Sequence, residues 1–240
     1  ACQRDGTTAP ICEIGLMTTQ GLQVNTVSLG QGARTWIRDD AFSVAPGEVL
    51  TIMGPSGSGK SSLLAAIAGT LGNVSVDLEP LTFVGDVRLH SQVITHLPAH
   101  QRGIGLVYQE ALLFAHMTVA ENLLFAVPQR MPRVERAATI QAALTEIELA
   151  DFGDRDPGTL SGGQRARVAI MRALLAKPKA ILLDEPFAQL DETLRAQMRA
   201  WVYAQVNARG IPAVLVTHDR RDIPASGRVH TLQREATHVG

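Results

Sequence analysis

The chain has 240 residues, which suits one large α/β domain or one domain carrying a smaller lobe. Hydrophobic residues make up 45% and charged residues 19%, enough apolar material for a full core. The formal net charge of -1 lacks the basic excess of a chain that coats nucleic acid, and no apolar run reaches the ~18–20 residues that cross a bilayer, so neither a nucleic-acid partner nor a membrane span is expected.

Residues 1–20 carry little pattern and read as a flexible N-terminal segment without the basic-then-apolar order of a signal peptide. Cys2 and Cys12 fit no zinc-ligand spacing and read as reduced thiols. Residues 22–29 and 34–44 predict two antiparallel strands around a Gly-rich turn. Val49 to Met53 suits a buried strand, Gly54 to Gly59 a glycine-rich loop, and Lys60 to Ala68 a helix. Leu81–Val93 and Ile104–Tyr108 predict further strands. From Val119 to Leu149 apolar residues recur three or four apart, as on a helix face, until Asp156-Pro157-Gly158 breaks the pattern. A helix from Gly162 to Leu175 stops at Lys177-Pro178, and a strand at Ala180–Leu183 follows. A helix over Asp191–Ala208 and strands over Ala213–Thr217 and Arg228–Leu232 complete the order. The expected fold is α/β: a P-loop NTPase core of mixed sheet flanked by helices, an antiparallel N-terminal β subdomain, and an inserted α-helical lobe at about 112–160. The domain covers 21–232, and 233–240 are a tail.

GPSGSGKSS at 54–62 fits the pattern G-x-x-x-x-G-K-[ST] at every fixed position. Gly54, Gly57 and Gly59 let the backbone curl so that successive N–H groups aim at one anion, while Pro55, Ser56 and Ser58 complete the loop. The following helix adds its positive N-terminal end. Lys60 is expected to reach the β- and γ-phosphates, Ser61 to ligate Mg²⁺, and Ser62 to donate to the α-phosphate. At 180–186, AILLDEP ends an apolar strand in two carboxylates. Asp184 is placed to hold Mg²⁺ through water, and Glu185 to activate the attacking water as general base.

LSGGQ at 160–164, leading into RARVAIMRALLAKP, resembles the signature of ABC (ATP-binding cassette) ATPases. A specified pentapeptide arises by chance in about one chain in ten thousand of this length, and the order phosphate loop, signature, acidic strand lowers that further. Ser161 and the N–H groups of Gly162 and Gly163, with Gln164 behind them, make a second anion-binding helix start. The resemblance covers about residues 20–232. It implies that this signature meets the γ-phosphate held by a partner's phosphate loop, so that two cassettes, identical or paired with a second type, bury two ATP molecules between them. It carries over a Mg²⁺- and water-contacting role to Gln109 in GLVYQE, an interface role to Asp191 in AQLD, which by itself reads equally as a helix N-cap, and a γ-phosphate contact to His218 in VTHD.

Within the family the chain is most similar to bacterial importer ATPases, of the YnjD type. This implies integral permease subunits, a solute-binding protein, and a peripheral position on the cytoplasmic face of the inner membrane. Leu112, Leu113, Phe114 and Met117 are candidates for permease docking, with lobe core as the equal alternative. Rival readings are an exporter cassette, a soluble non-transport ABC ATPase, and an unrelated P-loop kinase or GTPase. The chain departs from the family in four places. Leu29 stands where an adenine-stacking aromatic is usual, Trp36 lying only in the next strand, so base stacking is expected to be weaker by ~1–2 kcal/mol. Ser62 replaces Thr, and Gln189 replaces a common Ala. The short stretch after His218 is expected to leave no room for a C-terminal regulatory domain.

Overall fold

A computed structural model describes residues 21–32, 34–71 and 80–232; the segments expected at 1–20 and 233–240, with Cys2 and Cys12, lie outside them. Two sheets form. The first is antiparallel, in the order β2-β1-β4-β5, from β1 (Leu22–Gln31), β2 (Arg34–Val44), β4 (Leu81–Leu89) and β5 (Gln92–Val93). The second is parallel, in the order β6-β7-β8-β3-β9, from β3 (Val49–Met53), β6 (Ile104–Val107), β7 (Ala180–Asp184), β8 (Ala213–Val216) and β9 (Arg228–Thr231).

The three central strands β7, β8 and β3 read AILLD, AVLV and VLTIM, continuous apolar runs rather than alternating ones. Strands covered on both faces need such runs, and helices supply the cover. On one face α1 (Lys60–Ala68) lies between the sheets, where Leu63 and Ile67 meet Leu22 and Leu29 from the first sheet and Leu182 and Val214 from the second. On the other, α4 (Gly162–Leu175) and α5 (Glu192–Arg209) bring Ile170, Leu174, Val202 and Val206 against Ile181, Leu183 and Leu215. A third core joins α2 (Val119–Ala126), α3 (Arg133–Glu146) and the outer face of α4 through Leu123, Leu144, Val168 and Met171. The lobe read at 112–160 therefore shares α4 with the parallel-sheet core.

Two expected elements are divided. The single strand over Leu81–Val93 is a hairpin, because His90 turns with φ of 54° and β5 returns beside β4. The helical stretch from Val119 to Leu149 breaks between α2 and α3, where Pro128 and Pro132 interrupt the backbone donors a continuous helix needs. A third irregularity sits between β1 and β2: the register runs to Leu29 opposite Ile37 and then jumps to Gly30 opposite Thr35. Trp36 is thus an unpaired bulge residue.

Candidate functional site

Parallel strands in a common order bring their carboxyl ends to one edge, and the residues that follow them gather there. Ile52 of β3 and Asp184 of β7 both stand opposite Val216 of β8, and Val107 of β6 stands opposite Leu183. The phosphate loop, Asp184-Glu185, Thr217-His218 and Gln109 therefore emerge side by side, although 54 and 218 are far apart in sequence. Gln109 is exposed at this edge.

In the loop, Pro55, Ser56 and Gly57 are exposed and Gly54 and Gly59 half-buried. The Lys60 ammonium donates to the carbonyls of Gly54 and Pro55, 2.9 Å each, so the charge lies within the curl of the loop. Gly59 has φ of 88°, a left-handed conformation that admits the sharp entry into α1. The Ser58 N–H bonds to the Pro55 carbonyl at 3.3 Å, and its hydroxyl is buried without a hydrogen-bond partner among the described residues. Ser61 and Ser62 open the first turn of α1. The far end of that helix is fixed by buried Arg102, whose guanidinium donates to Ala66 and Ile67 carbonyls at 2.7 and 2.8 Å. Nothing in the local sequence marks this role of Arg102, because its partners on α1 are some 35 residues away, while its other bonds go to the nearby Leu97 and Thr95 carbonyls.

Burial pushes the Asp184 carboxyl above the usual carboxylate range, the adjacent Glu185 charge adds to the rise, and a hydrogen bond from Ser61 and the charge of Lys60 oppose it. Asp184 and Ser61 are thus close enough to influence one another. No group of three or more His, Cys, Asp or Glu side chains among the described residues could hold a metal alone. One carboxylate and one hydroxyl beside a phosphate loop fit Mg²⁺, which takes one or two protein oxygens and completes its shell with phosphate and water.

Glu185 holds φ of 46°, rare for a residue with a side chain, and its N–H is tied to the Val216 carbonyl at 2.9 Å. Its carboxylate Oε2 lies 3.1 Å from His218 Nδ1. His218 is 65% exposed along its side chain, so the pair is open to solvent. The His218 loop is anchored beneath. The Thr217 hydroxyl donates to Asp222 at 2.7 Å and accepts from the Asp219 N–H. Asp222, buried, takes two bonds from Arg195 at 2.8 and 2.6 Å and one from Arg199. Burial alone pushes the Asp222 carboxyl up, but the bonds from Arg195 and Thr217, with the Arg195 charge and Arg199, hold it below the usual range. Bonds from Arg221 hold Asp219 well below it too. The sequence offers no direct sign of this network, since Arg195 and Arg199 fall on an ordinary charged helix.

The signature residues lie at the start of α4. Ser161 caps it, accepting from the Gln164 N–H at 3.2 Å, while the Gln164 side chain accepts from the Ser161 N–H at 2.9 Å. A methyl group on Gly163 would stand 2.3 Å from a Leu194 methyl carbon, whereas one on Gly162 would meet nothing nearer than 3.7 Å, at Gln189. Gln189 thus lies over the signature. Asp191 is the N-cap of α5, accepting from Leu194 N–H at 3.0 Å.

Of the docking candidates, Leu113 packs on the lobe core, Met117 is half-buried, and Leu112 and Phe114 line a groove of about 430 Å³ with Tyr108, Phe125 and Arg172. Buried Asn122 shapes the approach, donating to Phe114, Met117 and Thr118 carbonyls. Leu29 is fully buried and offers no face to a base, which removes it as the stacking position.

A strand–glycine loop–helix cradle beside acidic strand ends, in an α/β core with an inserted helical lobe, defines a P-loop nucleoside-triphosphate-binding protein. The ABC transporter family model matches residues 37–188. The chain is 45% identical to the ABC transporter ATP-binding protein YnjD of Escherichia coli K12, over 87% of this chain and 93% of that one. It is 38% identical to the sulfate/thiosulfate import ATP-binding protein CysA of Thermosynechococcus vestitus over 84% of this chain, and 37% identical to the spermidine/putrescine import ATP-binding protein PotA of Aggregatibacter actinomycetemcomitans over 89%. It spans only 58% and 55% of those two relatives. The ATP-binding cassette MJ0796, in a dimeric post-hydrolysis state with ADP and Pi, superposes with a TM-score of 0.73 at 28% identity, covering 90% of this chain and 97% of that one. The chain belongs to the ABC transporter family, as an ATP-binding cassette.

Proposed function

We propose that the chain hydrolyses ATP as one of two cassettes that energise solute import through integral permease subunits. The observation that carries the hydrolytic part is the gathering of Lys60, Ser61, Asp184, Glu185 and His218 at one sheet edge, with Glu185 and His218 already in contact. The domain is read as 21–232 with its helical lobe at 112–160.

ATP lies along the 54–62 loop. The Lys60 ammonium exchanges the Gly54 and Pro55 carbonyls for the β- and γ-phosphates. Ser61 and Asp184 would hold Mg²⁺, which would supply positive charge against the phosphate oxygens. Glu185 accepts a proton from the attacking water, and His218 orients that carboxylate and reaches the γ-phosphate. Gln109, which follows β6 next to β7, would contact that water and the Mg²⁺. Ser161, Gly162, Gly163 and Gln164 serve the partner's nucleotide, and for this the Ser161–Gln164 box yields one donor to the anion. Asp191 reaches across the same interface.

The import reading draws on CysA and PotA, and the open groove at Tyr108, Leu112, Phe114 and Phe125 supports a permease seat. No helix among the described residues is long and apolar enough to cross a membrane, which suits a peripheral subunit on the cytoplasmic face. A solute-binding protein completes the importer.

The test is Glu185→Gln. The variant should bind Mg-ATP as the parent does, hydrolyse it at least about 100-fold more slowly, and accumulate as a dimer in size-exclusion chromatography with ATP. Turnover at the parent rate would remove Glu185 as the base; a variant that stays monomeric at saturating Mg-ATP would remove the paired-cassette mechanism.

A further inference from the structure

An arginine drawn out of water needs partners for its N–H donors. Arg102, Arg165, Arg167, Arg172, Arg195 and Arg199, buried or half-buried, each donate to a carbonyl or carboxylate oxygen. Arg136 of α3 is half-buried too, yet its guanidinium makes no hydrogen bond or ion pair among the described residues, and its Nε is buried without a partner. With Arg133, one turn earlier and equally unpaired, it lines a pocket of about 550 Å³ between α2 and α3. That volume suits a small-molecule site. No residue of the phosphate loop, the acidic pair or the His218 loop lines it.

The floor of the pocket is apolar, from Ala120 and Leu124 of α2 and Ala137, Ile140 and Leu144 of α3. Its charges lie at opposite ends. A helix rises about 1.5 Å per residue, so Arg136 and Leu144 are roughly 12 Å apart along α3. At the Leu144 end stands Gly153, where a methyl group would meet Leu144 Cδ1 at 3.2 Å, with exposed Asp151 and Asp154 on either side. The remaining acid in the lining, Glu121, spends Oε2 on the Thr118 N–H. Pro132 starts α3 without a side-chain cap, so free N–H groups of its first turn lie at the arginine end.

We propose that this pocket binds a free amphiphilic monoanion, an aliphatic body with one carboxylate head. Arg136 and Arg133 take the head, because a guanidinium fork matches a carboxylate in two parallel bonds. The aliphatic body lies along Ala137, Ile140 and Leu144. Asp151 and Asp154 repel a second negative group at the far end, which selects a monocarboxylate over a dicarboxylate. The assignment stands apart from the ATP reading, since the two sites share no residue.

The experiment is calorimetry of the full chain with decanoate, decanol and decanedioate, each below its aggregating concentration. The parent should bind decanoate roughly 10-fold more tightly than either of the others. Arg136→Gln breaks no bond in the fold, so its melting temperature should hold while decanoate weakens about 10-fold and decanol does not change. Arg136→Lys, which keeps the charge, should recover part of the loss. Ala137→Trp fills the pocket and should remove binding of all three. Four results overturn the assignment: a parent that does not bind decanoate, equal affinity for decanoate and decanol, decanoate affinity unchanged in Arg136→Gln, or parent-like binding by Ala137→Trp, which would place the amphiphile elsewhere on the chain.

Discussion

His218 Nδ1 and Glu185 Oε2 are 3.1 Å apart, joining the ends of two adjacent parallel strands that are 33 residues apart in the chain. His218 is largely exposed and Glu185 mostly covered, and in the proposed mechanism the histidine serves the nucleotide while it steadies the carboxylate. His218→Ala should therefore lower kcat by roughly 100-fold or more and change KM little, since the contact matters to the reacting geometry rather than to binding. Steady-state ATPase kinetics check this, and a loss confined to KM would contradict it.

Glu185 is held at φ of 46°, with its N–H spent on Val216. Strain of this kind costs about 1–3 kcal/mol at a non-glycine residue. Glu185→Gly removes the strain and the base together. The glycine variant should melt higher than Glu185→Gln by about 2–4 °C per kcal/mol relieved, as read by calorimetry, with ATPase activity lost in both.

Asp222 lies beneath the His218 loop, taking bonds from Arg195, Arg199 and Thr217. Removing one partner of a buried ion pair leaves the other charge uncompensated, so Asp222→Ala should destabilise the fold by about 3–5 kcal/mol in denaturant titrations. Folded Asp222 has its pKa below that of an unfolded aspartate, about 3.9. Its contribution is therefore fully present above that value and fades as pH falls through the folded pKa. The stability gap between the parent and Asp222→Asn should narrow below about pH 4, and a gap that held constant there would contradict the ion-pair account.

Gly162 and Gly163 are neighbours with different work. Gly163 is closed in by Leu194 and Leu190, whereas Gly162 has space for a methyl group. Gly163→Ala should cost about 1–3 kcal/mol through overpacking. Gly162→Ala should leave the melting temperature within a degree or two and, in the Glu185→Gln background, weaken ATP-dependent dimerisation, because the added group lies at the proposed anion site. Analytical ultracentrifugation with ATP reads the second effect.

Much of this was local and hence readable from the chain. Continuous apolar runs announced the buried strands β3, β7 and β8 because a strand covered on both sides has no polar face to show. The starts of α1 and α4 were legible at Gly59 and Ser161, since a glycine turn and a serine at a helix start set the first turn locally. The phosphate loop and signature stood out for the same reason: each is a short contiguous stretch whose backbone N–H groups aim at an anion.

What the residue order could not show was which of these pieces become neighbours. Parallel pairing set Glu185 beside His218, and Arg195 reached Asp222 across 27 positions of sequence. Arg102 closed the end of α1 from a connection downstream, and a one-residue slip of register turned Trp36 toward Gly59. Periodicity reports the face of an element, and caps report its ends. Strand order, bulges and long-range side-chain bonds are decided by how whole elements exclude water together, and that free energy belongs to no single stretch of chain.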